Sequence, residues 1–400
     1  MSYITELNVS NVRNLRPFTL TINSKKNIIV TGKNGSGKTT LLEAIRDELS
    51  SRRKYGDKTD MYLTAYSELC KEAKTRTLTP QESEHQANLA KMVGTGGIKI
   101  SLHASQRYLA PDEIFVCFSS RRTTEAATPK GPQIIAYGKQ EDSTPNYGKN
   151  FIQYLVNLWT EKSYAREDND LKRVAELDEW FTKFSNQLRK IFEDSALQLE
   201  FDRKIFNFWI VQPGKDRYSL NELSDGLSSA INIVSELILR MDQAGNASFD
   251  ASGIVIIDEI ENHLHVSLQK IILPFLSSLF PNIQFVASTH SPFVLISDPN
   301  TCIIDLTKNE IHEDFSAFSY EAIIEDYFNV DKYSYSLKNR VEEIRGMIRR
   351  QDYTQALAQI DSVRDDAKLN RENATDTSGE LVLALGDLEL DIKSKTVFDK

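Results

Sequence analysis

A chain of 400 residues, 40% hydrophobic and 26% charged, can bury a sizeable core, and its length fits one large α/β domain with insertions or a small appendage. Its formal charge of −9 argues against a protein that coats nucleic acid by bulk electrostatics, while leaving room for a local basic patch. Cys70, Cys117 and Cys302 are too scattered for a disulfide framework or a zinc site, no run approaches the roughly 18–20 apolar residues of a membrane span, and Met1-Ser2-Tyr3-Ile4-Thr5-Glu6 lacks the basic start and apolar core of a signal peptide; a cytoplasmic protein without a membrane partner is expected.

In chain order, the opening alternates apolar and polar positions, first Leu7 and Val9, then Phe18, Leu20 and Ile22, as half-buried antiparallel strands do. Residues 27–31 form a short apolar strand feeding a glycine-rich turn, and residues 39–49 follow as a helix with Leu42, Ile45 and Leu49 on one face. Residues 51–96 read as a helical insertion. It opens on Ser51-Arg52-Arg53-Lys54, and its second helix starts at Thr79-Pro80-Gln81-Glu82, where Thr and Glu have capping-box spacing. Strands are expected at 98–102 and 114–118, a long polar loop at 121–148, and a helical subdomain at 151–195 with Trp159, Trp180 and Phe184 as core anchors. Residues 197–201 and 205–211 read as strands, 227–241 as a helix, 253–258 as a buried strand, 266–280 as a helix, and 284–288 and 301–306 as strands. Strands alternating with helices of this length indicate an α/β fold with a mostly parallel central sheet. Beyond Val330 the chain is charged and helical, over 341–348, 353–363 and 381–390, with a loop at 370–378.

Gly32-Lys33-Asn34-Gly35-Ser36-Gly37-Lys38-Thr39 matches G-x-x-x-x-G-K-[ST] in full, between a strand and a helix. Glycines let the backbone fold around phosphate oxygens and aim N–H groups at them, and the following helix adds its positive dipole end. Lys38 is expected to reach the β and γ phosphates of ATP, Thr39 to ligate Mg²⁺, and Thr40 to complete the ATP-binding set; the alternative is a turn that binds nothing. Strand 253–258 ends in Asp258 and Glu259, where Asp258 can hold Mg²⁺ and Glu259 can polarise the attacking water, although such a pair alone could be a solvated turn. Asn221-Glu222-Leu223-Ser224-Asp225-Gly226-Leu227 opens a helix, with Ser224 as N-cap and Gly226 permitting close backbone approach; a capped core helix would satisfy the same residues. His290 ends the strand at 284–288, where an imidazole can donate to a γ-phosphate or to water; a lone His is otherwise structural.

At Leu223, Ser224 and Gly226 the chain resembles the ABC-type ATPases, whose Leu-Ser-x-Gly-(Gln/Glu) signature binds the γ-phosphate of ATP held by the opposite subunit; Leu227 departs from that pattern. Ala287-Ser288-Thr289-His290-Ser291-Pro292 resembles the switch histidine of the same class. Ile257-Asp258-Glu259-Ile260-Glu261-Asn262-His263-Leu264-His265 and the opening Leu7-Asn8-Val9-Ser10-Asn11-Val12-Arg13-Asn14-Leu15 narrow the likeness to the bacterial ATPases grouped with the OLD (overcoming lysogeny defect) nucleases, RecF and SMC proteins, over roughly residues 3–330. The resemblance implies a P-loop ATPase head with a mostly parallel sheet, an antiparallel N-terminal β-part and a helical C-terminal appendage at 331–400 for partner binding. It implies ATP and Mg²⁺ as ligands, Lys38, Glu259 and His290 as catalytic groups, Arg13, Ser224, Asp225 and Gly226 as added nucleotide contacts, and Thr39 and Asp258 at the metal. Two copies would clamp ATP, in a homodimer or higher homo-oligomer, with Glu261, His263 and His265 lining the interface as a D-loop, the alternative for these three being metal ligands.

Many members of this group are ATPase subunits of anti-phage systems of Septu, retron-associated and PARIS type. Asp387-Leu388-Glu389-Leu390-Asp391 falls on a helical pattern, where acids are a solvated face rather than TOPRIM metal ligands, so an effector nuclease of HNH or TOPRIM type is expected in trans. The expected function is an ATPase that senses or regulates for that nuclease. The alternative is a RecF/SMC-like DNA repair ATPase, touching DNA through Arg52-Arg53-Lys54 or Arg345, Arg349 and Arg350. Ser120-Arg121-Arg122 falls at about the Q-loop, either as a carrier of γ-phosphate or partner signals or as a surface pair.

Overall fold

The structure, a computed structural model, describes residues 2–10, 12–56, 58–93, 97–103, 109–110, 112–122, 127–138, 143–245, 249–324, 335–371, 385–386, 388–390 and 392. Asn11 of the opening motif, residues 57 and 94–96 of the insertion, 123–126 and 139–142 of the polar loop, and most of the loop at 370–378 lie outside the described residues. So do 381–384 and Asp387 of the last expected helix, of which 385–386 and 388–390 are helical, and Asp391 of the acidic stretch. Two compact units divide the chain, Met1–Tyr320 and Glu321–Lys400.

In the first unit, β1 (Ile4–Val9) and β2 (Phe18–Thr21) pair antiparallel with Leu7 opposite Leu20; both leucines are buried while Thr19 and Thr21 face solvent. β3 (Asn27–Thr31) is buried along its whole length, as a strand covered on both faces must be, and runs into the glycine turn and α1 (Lys38–Tyr55). Leu41, Leu42, Ile45 and Leu49 form the buried face of α1. The helix runs past residue 49, so Ser51-Arg52-Arg53-Lys54 does not open the insertion but forms the last turns of α1. Its cations there suit the negative end of the helix, and Arg52 pairs with Glu48 at 2.7 Å.

The insertion holds α2 (Lys58–Thr75) and α3 (Pro80–Val93), and the Glu82 carboxylate accepts from the Thr79 N–H at 2.8 Å and the Thr79 hydroxyl at 2.9 Å, closing the expected capping box. β4 (Ile98–Leu102) then returns to pair antiparallel with β1, giving the order β2-β1-β4. After β5 (Ile114–Phe118) come α4 (Phe151–Glu167) and α5 (Leu171–Ile191), separated at Asp170, whose carboxylate caps α5 by accepting from the Arg173 N–H at 3.0 Å. Trp180 and Phe184 are buried here; Trp159, expected beside them in the core, is only half-buried and packs on Phe181, Phe201 and Phe208. β6 (Gln198–Asp202), β7 (Asn207–Val211) and β8 (Tyr218–Ser219) make a small antiparallel sheet. The strand expected from 205 starts at 207 because Ile205 and Phe206 form the turn, Phe206 at a φ of 52°.

The remaining elements are α6 (Asp225–Gln243), β9 (Gly253–Ile257), α7 (Val266–Leu279), β10 (Ile283–Ser288), α8 (Pro292–Leu295), β11 (Thr301–Asp305), β12 (Glu310–His312) and the short α9 (Tyr320–Ala322). Among the described residues the central sheet has the order β12-β11-β3-β10-β9-β5, parallel except for the antiparallel edge strand β12. That order decides where chemistry can occur. β10 lies between β3 and β9, so the glycine turn after β3, the acids after β9 and His290 after β10 all emerge at the carboxyl edge of one sheet.

The second unit contains α10 (Tyr335–Arg349) and α11 (Tyr353–Arg371). Val341, Ile344 and Ile348, spaced along one helix face, bury against Ala356, Ile360, Val363, Leu385, Leu388 and Ile392. Arg345, Arg349 and Arg350 are exposed. Among the described residues no helix is long and apolar enough to cross a membrane.

Candidate nucleotide and metal site

The glycine turn is shaped to leave its backbone open. Gly37 takes a φ of 98°, which favours glycine, and a Cβ there would lie 2.4 Å from Leu15 Cδ2, so any other residue would have to displace the Leu15 side chain. Lys38 is buried, with its Nζ donating to Gly32 O at 3.0 Å and Lys33 O at 3.2 Å. Burial lowers its pKa, opposed by the carboxylates of Glu259, Glu261 and Asp258. Ser36 Oγ is buried without a hydrogen-bond partner among the described residues, an orphan that an anionic oxygen would satisfy. Lys33, Asn34 and Gly35 are exposed, and Thr40 is half-buried on the first turn of α1.

Beside this loop lies a cavity of about 290 Å³, whose wall includes Asn14, Arg16, Ser36, Thr307 and Asn309. Thr307 Oγ1 accepts the Lys33 N–H at 2.8 Å, so the β11–β12 turn steadies the loop from outside. Arg13 has a φ of 45° and lies 3.6 Å from Glu43; its neighbours Asn14 and Arg16 line the cavity.

Thr39 and Asp258 are 219 positions apart in sequence, yet Thr39 Oγ1 donates to Asp258 Oδ2 at 3.0 Å. Two hard oxygen donors at the edge of a phosphate loop are the ligand chemistry of Mg²⁺. Ser288 Oγ donates to Asp258 Oδ1 at 2.6 Å and accepts the Glu259 N–H at 2.7 Å, so one hydroxyl from β10 fixes both acids. Glu259 sits in the left-handed region at a φ of 48°, a backbone state that non-glycine residues hold only where surrounding contacts enforce it.

The Glu261 carboxylate accepts the Thr289 hydroxyl at 2.8 Å and the His290 N–H at 2.6 Å. It thereby sets the segment carrying the His290 imidazole. Burial lowers the His290 pKa, the nearby Lys38 charge adds to the effect, and Glu261, Glu259 and Asp258 oppose it. That direction favours the neutral ring, which can donate through one nitrogen. Histidine-resolved NMR of the nucleotide-free protein should place this titration below the ordinary 6.5. The unfolded chain takes up that proton first, so His290 makes folding less favourable as pH drops through 6.5; a titration above 6.5 would contradict the assignment.

The residues expected to cap α6 behave differently from expectation. Ser224 has the extended N-cap backbone, but its side chain makes no capping bond. The capping box lies one turn earlier, where the Glu222 carboxylate accepts the Ser219 N–H at 2.6 Å. Ser224 and Asp225 are exposed at the N-terminus of α6, and among the described residues no hydrogen bond joins them to the phosphate loop. Gly226 is buried, and a Cβ there would lie 2.7 Å from His263 O, so the start of α6 rests on the loop that carries the acids.

Of Ser120-Arg121-Arg122, Arg121 is exposed, whereas Arg122 is 5% exposed and is no surface residue. Its guanidinium binds the backbone carbonyls behind Asp258 and Glu259. Three participants thus escaped sequence reasoning: Ser288, Thr307 and the structural use of Arg122. Ser288 stands inside the motif that carries His290 but had no role of its own there, Thr307 stands in no motif, and for Arg122 only its place after an apolar strand was a signal.

A family model described as "ABC transporter" matches residues 15–115, which include the phosphate loop. Another, described as "AAA domain, putative AbiEii toxin, Type IV TA system", matches residues 145–297, which include Ser224, Asp258, Glu259 and His290. Septu protein PtuA of Bacillus thuringiensis is 24% identical over 363 residues, covering 83% of this chain and 85% of that protein. Septu protein PtuA of Bacillus mycoides (strain KBAB4) is 26% identical over 322 residues, and the match spans 76% of this chain but only 40% of the relative's length. The Escherichia coli protein named "Retron Ec83 probable ATPase" is 32% identical over 145 residues, 34% of this chain and 27% of that protein.

Proposed function

We propose that this ABC-type ATPase hydrolyses ATP at a site completed by a second copy of the chain, and that its nucleotide state controls an effector in an anti-phage defence system. The observation that carries the catalytic part is the Thr39–Asp258 contact at 3.0 Å, with Glu259 and His290 at the same edge of the sheet. Lys38 and the N–H groups of the loop hold the β and γ phosphates. Thr39 and Asp258 would hold Mg²⁺, which would supply neutralisation of the phosphate charge. Glu259 orients the attacking water and accepts its proton, and the neutral His290 donates to the γ-phosphate. Ser224, Asp225 and Gly226 of a second copy cap that phosphate from the opposite side, with the N-terminal dipole of α6 behind them.

The defence role is supported by the Septu and retron names of the relatives. In this reading residues 331–400 receive a nuclease of HNH or TOPRIM type supplied in trans. Size-exclusion chromatography with light scattering tests the composite site. Glu259→Gln with MgATP should run at twice the mass of one chain, and adding Ser224→Arg should return it to one. A mass indifferent to MgATP would exclude closure around nucleotide.

A further inference from the structure

We infer that Arg122 is a positioning residue that couples, within each subunit, the signature face offered to the other copy with the hydrolytic groups of its own site. The inference rests on the composite site proposed above. Nε of Arg122 donates to Ser229 Oγ at 3.1 Å, one turn into α6 from Gly226. Nη1 donates to Asp258 O at 2.7 Å and Ser119 O at 3.3 Å, and Nη2 to Glu259 O at 2.8 Å and Ile260 O at 3.3 Å. These are the five N–H donors a guanidinium possesses, so none is left to sense a phosphate directly. The group acts instead as a rigid planar plate between α6 and three consecutive carbonyls.

Glu259 is the residue that gains most from this plate. Its left-handed backbone is gripped at both polar groups, the N–H by Ser288 Oγ at 2.7 Å and the carbonyl by Arg122 at 2.8 Å. The neighbouring contacts leave little slack. Asn262 Nδ2 donates to Ser120 O at 2.9 Å, and Gly226 abuts His263 O so closely that a methyl group would not fit. A shift of the α6 N-terminus when Ser224 meets the other copy's γ-phosphate must therefore move the carbonyls that orient Glu259. Conversely, a subunit whose signature is empty holds its own glutamate in the unengaged position, so the two sites turn over together.

Ser229→Ala separates coupling from construction, because it cuts the link to α6 and leaves the four carbonyl contacts in place. In the full-length chain it should keep the MgATP Kd within about twofold and lower kcat roughly 10-fold, the loss expected for one charge-assisted hydrogen bond. The Hill coefficient for MgATP should fall from near the two-site limit of about 2 towards about 1. Arg122→Lys, whose ammonium cannot span α6 and three carbonyls, should lose more kcat at a similar Kd, together with a lower melting temperature from the carbonyls left unpaired. Coupling is overturned if Ser229→Ala keeps wild-type kcat and cooperativity, if its Kd weakens in step with kcat, or if Arg122→Lys matches wild type. A wild type that is non-cooperative, alongside a Glu259→Gln variant that stays monomeric with MgATP, overturns the composite site itself. A dimerising, cooperative wild type beside an unaffected Ser229→Ala removes the coupling alone.

Discussion

Glu259→Gln should lower kcat for ATP hydrolysis by on the order of 10²–10⁴-fold while MgATP affinity changes by only a few-fold. The amide has the shape of the carboxylate, and the contacts that hold residue 259 in its left-handed conformation are to backbone atoms, so the loop should keep its geometry. What is lost is the capacity to take a proton from water. Thr39, Asp258 and Lys38, to which the proposed site assigns the binding, keep their partners. Single-turnover hydrolysis and equilibrium nucleotide binding, measured on one preparation, separate the two quantities. Turnover within about threefold of wild type would place the base elsewhere.

The second large effect concerns folding. Gly253→Ala should destabilise the first unit by roughly 3–5 kcal/mol or prevent recovery of soluble protein. Gly253 opens β9 at a φ of 158°, directly opposite Ile114 of β5. A Cβ at that position would lie 2.0 Å from Ile114 O and 2.7 Å from Ile114 C and N. These are backbone atoms of a hydrogen-bonded neighbour in the sheet, so no side-chain rotation relieves the clash and β5 must separate from β9. β9 carries Asp258 and Glu259, so residual soluble protein should also hydrolyse poorly. Urea unfolding with a wild-type midpoint and slope would refute this reading of the strand pair.

Much of this was legible from residues alone because the relevant information is local. The phosphate loop needs a strand, glycines at fixed offsets and a helix, all within Asn27–Thr31 and the residues that follow. The acids at the end of β9 announce themselves by following five buried apolar residues. The roles of Ser288 and Thr307 were not legible, since they arise only when β10 lies beside β9 and β11 beside β3 in space. Arg122 was left open between a signalling residue and a surface one because a sequence does not say which of two adjacent arginines turns inward. The end of α1 was misplaced for a different reason: Ser51-Arg52-Arg53-Lys54 looks like a break by polarity, although Arg is a good helix former and cations suit a C-terminal turn. β8, two residues long, is too short to carry a period.

The strand order has a further consequence for how this seat can change over evolution. Adjacent strands are about 4.8 Å apart, so placing β10 between β3 and β9 sets the loop and the acids about 10 Å apart at their roots. Thr39, on the first turn of α1, nevertheless meets Asp258 at 3.0 Å. Such a gauge comes in whole steps: substitutions can alter which atoms project into the gap, but only gaining or losing a strand would rescale it.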